Sequence, residues 1–222
     1  MAISAKYSFI NGLFAQGDAN SQYDYIVPGF IDIHCHGGGG KYFSDGATTA
    51  IDTHKSAGTR IQIASLVSQD LDTLKAQIKS LKNQGIFGIH LEGPYISQKY
   101  CGAHDPELLR TPDIAEIKEL LAVGEGFIKM LTIAPELQGA IEVIDYLASN
   151  GVVVAIGHSD AKAINTLAAF KAGATVVTHF NNAMRNISFE GTSLLATWPD
   201  IAVLFIWIIV VYALAFKIFK WE

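Results

Sequence analysis

From Val27 onward, short apolar runs alternate with longer amphipathic stretches. The first run is Phe30–Ile33, within VPGFIDIHCHGGGG, and the next is Arg60–Val67. Leu71, Leu74, Ile78 and Leu81 then recur every three to four residues, the spacing of one helix face, which predicts a helix over Asp70–Gln84. Gly85–Leu91 reads as a strand. Asp113–Val123 reads as a helix capped by Thr111 or Asp113, with Glu116 placed for a capping box. Phe127–Ala134, Gly151–Ile156 and Ala174–Thr178 continue the strands, and Gly139–Ser149 and Ala161–Ala172 the helices. Six such units with continuously apolar strands predict an α/β fold, a parallel sheet covered by helices.

Six units fit either an open doubly wound sheet or part of an eight-fold barrel. No GxGxxG follows the first strand, and Gly37–Gly40 reads as a flexible loop. The polar residues favour the barrel. His34, His36, Glu92, Glu136, His158 and His179 all fall at or just past the C-terminal ends of predicted strands. That rim is where a (β/α) barrel assembles its active site.

The same residues suggest metal chemistry. In His34-Cys35-His36 the imidazoles are two residues apart, so at the strand period they point to one side and can approach one cation. Alone, an HxH is equally a pair of histidines in a polar loop. Glu92 closes an apolar strand, where an unpaired carboxylate is costly and a metal or a basic side chain would supply its partner. His158 and His179 stand 21 residues apart, about one strand–helix unit, so neighbouring strands present histidines at equivalent positions. Together these positions predict a divalent-metal site. His104 lies in the loop after Glu92, where it can donate a hydrogen bond to a substrate or simply face solvent. His54 falls within a predicted helix and takes no role, and His90 is read as support for the ligands.

Composition narrows the partners. The 222 residues are 50% hydrophobic and 17% charged with a net charge of −5, enough for one substantial core and no electrostatic reason for nucleic acid. Cys35 and Cys101 make no disulfide framework, and the start of the chain carries no export signal, so a cytoplasmic protein is expected.

PGFIDIHCHGGGG, HLEGPYIS followed by CGAHDPE, LTIAPE, GHSDA and THFNNAM resemble, in order and spacing, N-acetylglucosamine-6-phosphate deacetylases of the amidohydrolase superfamily. The resemblance runs over residues 27–185. It implies a partial (β/α)8 TIM-type barrel over residues 27–200, with 1–26 the remnant of a small β-sandwich. It implies hydrolysis of N-acetylglucosamine 6-phosphate to glucosamine 6-phosphate and acetate, a step of amino-sugar catabolism. Glu92, His158 and His179 would hold the principal metal, and His34 and His36 a second position. The cofactor would be one or two ions of zinc, iron, manganese or a similar metal. Ala103, His104, Asn182 and Ala183 would contact the sugar phosphate, and the protein would be a homodimer.

The family also carries, beyond THxxNAM, an ADGxH segment and a TDA segment whose aspartate is the general acid/base. Residues 186–222 contain neither, and Arg185 comes too early for the family's phosphate-binding arginine. A chain truncated in this way is expected to turn over poorly, or to be a non-catalytic metal- or sugar-phosphate-binding remnant. From Ile201 to Phe216 the sequence has no charge, Gly or Pro. At 1.5 Å per residue this stretch spans about 24 Å as a helix, short of the roughly 30 Å core of a bilayer. Residues 201–222 are read first as the product of a shifted frame. The alternatives are a membrane anchor, helped by Trp207, Trp221 and the flanking lysines, and an apolar cover for the open barrel.

Overall fold

The computed structural model describes residues 5–10 and 13–179. Of these, the residues up to Val176 belong to one compact unit and residues 177–179 to a second. Near the N-terminus, β1 (Tyr7–Ile10), β2 (Leu13–Gln16) and β3 (Tyr25–Ile26) make a three-stranded sheet in the order β2-β1-β3. β4 (Phe30–Cys35) opens the main sheet and is followed by a short hairpin, β5 (Gly37–Gly38) and β6 (Lys41–Tyr42). After α1 (Phe43–Ser56), strands and helices alternate: β7 (Thr59–Leu66), α2 (Leu71–Leu81), β8 (Gly88–Glu92), α3 (Ile114–Gly124) and β9 (Ile128–Ile133). The series ends with α4 (Ala140–Ser149), β10 (Val153–Ile156), α5 (Ala163–Lys171) and β11 (Val176–Val177).

The main sheet runs β4-β7-β8-β9-β10-β11 without reversal, and the pairs from β4 through β10 are parallel. A doubly wound sheet changes direction at a switch point and sends successive helices to opposite faces. Here each helix packs on the next, α1 on α2 through to α4 on α5, so they form one layer. With right-handed crossovers, that arrangement is the wall of a partial (β/α)8 barrel.

The core lies between wall and helices. Leu74, Ile78 and Leu81 of α2, Ile117 and Leu120 of α3, and Val143, Ile144 and Leu147 of α4 are buried with Ile89, Leu91, Leu131, Ile133 and Val154 of the strands. By contrast Phe30, Ile31 and Ile33 are exposed, because among the described residues β4 pairs on one side only, with β7.

Two of the helix starts are capped by aspartate side chains. Asp70 caps α2 by accepting from the Thr73 N–H (2.9 Å), and Asp113 caps α3 by accepting from the Ala115 N–H (2.6 Å). Glu116 makes no capping box. Its carboxylate accepts instead from the Arg110 Nε–H (3.0 Å) and the buried Tyr95 hydroxyl (2.9 Å), bracing the segment after β8. Gly37 and Gly38, expected in a flexible loop, pair with Lys41 and Tyr42. A Cβ on Gly37 would lie 2.0 Å from the Lys41 carbonyl oxygen, so only glycine permits this hairpin. No helix among the described residues is long and apolar enough to cross a membrane. The apolar segment 201–222 lies outside the described residues, as do Asn182, Ala183 and Arg185.

Leu131 is fully buried in β9, so Leu131→Ala should cost about 2–5 kcal/mol in urea unfolding. Ile164→Ala, at a position 71% exposed on α5, should stay within about 0.5 kcal/mol.

Candidate metal centre

Glu92 is the last residue of β8, and its carboxylate is 2% exposed. A carboxylate so buried is stable only against compensating charge or hydrogen-bond donors. Imidazoles from three other segments supply the contacts. His36 Nε2 lies 2.9 Å from Oε2 and His158 Nε2 3.1 Å from Oε1. His34 Nε2 is 3.3 Å from Oε1 and His104 Nε2 3.7 Å from Oε2. Burial raises the Glu92 pKa, but the contacts from His104, His158, His34 and His36 outweigh it and hold the carboxyl well below its usual range. Burial likewise lowers the His158 pKa, and Glu92 with the Tyr100 carbonyl reverses that to a net rise.

The far nitrogens of these rings fix their tautomers. His36 Nδ1 lies 3.2 Å from the Ser65 carbonyl oxygen and His158 Nδ1 2.9 Å from that of Tyr100. A carbonyl only accepts, so both Nδ1 atoms carry the proton and both neutral rings present an Nε2 lone pair to the carboxylate. Two lone pairs facing an anion at 2.9 and 3.1 Å need a positive charge among them, either protons on the rings or a metal cation. His104 is the opposite case. The Ser68 backbone N–H (3.2 Å) and hydroxyl (2.9 Å) point at its Nδ1, so the proton sits on Nε2 and the ring is a donor. The residues therefore fit a cation: nitrogen and oxygen donors, with the outer nitrogens of His36 and His158 tied down as in metal-bound histidines. Ligand atoms of His34, His36 and Glu92 all lie within 4.8 Å of one another.

The backbone holds this geometry. His158 stands two residues past β10 with a left-handed φ of 48°, uncommon for a non-glycine residue. The Ser97 N–H donates to its carbonyl (2.8 Å), and Glu136 clamps the next two residues by accepting from the Ser159 hydroxyl (2.7 Å) and the Asp160 N–H (2.6 Å). Gly93, at φ 84°, lies so near Ser68 that a Cβ would meet its hydroxyl at 2.3 Å. Beneath the site the fully buried His90 bonds the Ser65 and Thr132 hydroxyls (2.9 and 2.8 Å), linking β7, β8 and β9.

Of the residues singled out from the sequence, Glu92, His34, His36, His104 and His158 converge. Ala103 is exposed beside buried His104. His179 stands two residues past β11 with φ 55°, in the second unit. Asn182 and Ala183 are among the residues not described. Sequence reasoning missed Ser65 and Tyr100, whose backbone carbonyls leave no residue-type signal, and Ser68, which holds His104 with both its N–H and its hydroxyl; Glu136 stood out only as a polar residue at a strand end. Burial and then the Asp32 carboxylate push the Cys35 thiol up to about 12, so it stays protonated unless a cation displaces the proton. A cleft of ≈ 450 Å³, lined by His36, Lys41, Tyr42 and the hairpin glycines, opens beside the centre.

No family model matches the chain. It is 35% identical over 176 residues to an N-acetylgalactosamine-6-phosphate deacetylase of Escherichia coli O157:H7, covering 74% of this chain and 47% of the relative. It is 34% identical over 174 residues to the N-acetylglucosamine-6-phosphate deacetylase of Bacillus subtilis strain 168, covering 72% and 44%. The chain thus spans about half the length of the curated relatives it matches. The crystal structure of N-acetyl-D-glucosamine-6-phosphate deacetylase from Mycobacterium smegmatis superimposes with a TM-score of 0.75 at 38% identity, over 84% of this chain and 62% of that one. An Asp-to-Ala variant of that enzyme, solved in complex with N-acetyl-D-glucosamine-6-phosphate, superimposes at 0.74, over 84% of this chain and 57% of that one.

The Arg110 guanidinium, helped by the Tyr95 hydroxyl, depresses the Glu116 pKa against burial, which raises it. A depressed carboxyl contributes stability that is present above its unfolded pKa and lost as pH falls through the folded one. Glu116→Gln should therefore be less stable at neutral pH, by on the order of 1 kcal/mol, with the gap to the parent closing in acid. Urea unfolding across pH measures it; a gap independent of pH would contradict the ionic brace.

Proposed function

Because the chain belongs to the N-acetylglucosamine-6-phosphate deacetylase family, we propose that it holds a divalent cation at Glu92 and serves deacetylation of N-acetylglucosamine 6-phosphate. The observation that carries the reading is the split of tautomers around one buried carboxylate. His36 and His158 face Glu92 as ligands would, and His104 faces it as a donor. The sequence adds His179 as a further ligand, and Asn182 and Ala183 as sugar contacts.

When bound, the cation would polarise the substrate amide and activate water for attack at neutral pH. The protein's own groups do the rest. His104 Nε2–H donates toward the N-acetyl group, and Ser68 keeps that proton on Nε2. Ala103, exposed at the mouth, contacts the sugar through its backbone. Turnover also requires a group that takes a proton from water and returns it to the leaving amine. The family's TDA aspartate has that role, and residues 1–222 contain no TDA. The same reading takes 27–200 as barrel and 1–26 as part of a β-sandwich, in a cytoplasmic homodimer.

Purified protein should carry divalent metal by elemental analysis and bind N-acetylglucosamine 6-phosphate only when loaded. Glu92→Gln should weaken metal binding roughly 100-fold or more. Acetate release, assayed on this sugar and on its C4 epimer, reports substrate choice. A folded chain that takes up neither metal nor sugar phosphate contradicts the proposal.

A further inference from the structure

The arrangement that marks His36 and His158 recurs at His54, a residue with no part in the centre above. His54 lies on α1, and its Nε2 is 3.0 Å from the Gly37 carbonyl oxygen, so Nε2 carries the proton. Its Nδ1 lone pair then faces a carboxylate, with Asp32 Oδ2 at 3.7 Å. The third member of the cluster is Cys35. Ligand atoms of Asp32, Cys35 and His54 all lie within 4.8 Å of one another, and all three side chains are half-buried.

A regular strand would not bring them together. At the strand period of two, residues 32 and 35 point to opposite faces. Between Asp32 and Cys35, however, β4 advances three residues while β7 advances two, from Gln62 to Ala64. That extra residue is a bulge, and it turns both side chains to the side where α1 presents His54. The glycine hairpin is fitted to the same ring: a Cβ on Gly38 would lie 3.0 Å from His54 Cδ2 and 3.1 Å from Nε2.

We infer that Asp32, Cys35 and His54 form an additional cation site, separate from Glu92, for a thiophilic divalent ion such as zinc or cobalt. One sulfur, one nitrogen and one oxygen donor select such ions over magnesium or calcium. Three protein ligands leave a fourth tetrahedral position for water. The bond from His54 Nε2 to the Gly37 carbonyl is the outer contact that orients a metal-bound imidazole. Asp32 Oδ1 also accepts from the His34 N–H (3.1 Å), so a cation here ties α1 to the strand that carries the histidine pair.

Cobalt(II) titration of the full chain tests this, because a cysteine ligand gives a thiolate-to-cobalt charge-transfer band in the near ultraviolet and histidine–carboxylate sites do not. The parent protein, Cys101→Ser and Glu92→Gln should all show the band. Cys35→Ser should abolish it and lose the matching equivalent of cobalt. His54→Gln keeps the sulfur and should weaken cobalt binding at this band by at least about 10-fold, which reads the site even if Cys35→Ser does not fold. No band at saturating cobalt, a band that survives Cys35→Ser, or a His54→Gln titration like the parent's overturns the inference. Loss of metal in Glu92→Gln with the band retained separates this site from the proposed catalytic one.

Discussion

A carboxylate buried at the end of β8 is the constraint around which the described structure is arranged. Glu92 has almost no access to solvent. What faces it instead are imidazole nitrogens. Two of them, on His36 and His158, are held by backbone carbonyls in the tautomer that presents a lone pair. Such a shell is unfavourable around a bare anion and favourable around an anion that shares a cation. The site's chemistry therefore follows from which nitrogen of each ring is occupied.

The scaffold supplies the precision this needs. Parallel strands in unreversed order bring β4, β8 and β10 to a common end, and α2, α3 and α4 back the wall with a continuous apolar layer. The loops beyond the strands are then fixed one contact at a time. Ser97 and Glu136 pin the turn bearing His158, Ser68 orients His104, and Tyr95 with Arg110 and Glu116 braces the chain after Glu92. Each brace joins a loop to another loop or to a helix, so the site is held by several elements at once.

Much of this was legible in the chain itself. Apolar runs located the strands to within a few residues, and the leucine spacing of α2 and the Asp113 cap of α3 were readable because each rests on local chemistry. The position of Glu92 and His158 at strand ends was equally plain. What the residue types hid were events between segments. Glu116 left its expected capping box for Arg110 and Tyr95, which only the folded loop brings near. Gly37 and Gly38 became a hairpin through pairing with Lys41 and Tyr42. The bulge that places Asp32 beside Cys35 arises from the β4–β7 register and has no signature in either strand. Tautomers fixed by carbonyls are invisible in a sequence, since every residue has a carbonyl.

The account turns on a cation at Glu92, and anomalous diffraction from crystals grown with zinc measures it most directly. The predicted result is an anomalous peak about 2.0–2.2 Å from a Glu92 carboxylate oxygen and about 2.0–2.1 Å from a histidine nitrogen. Density with no peak there, and His36 and His158 still hydrogen-bonded to Glu92 as imidazolium ions, would contradict it.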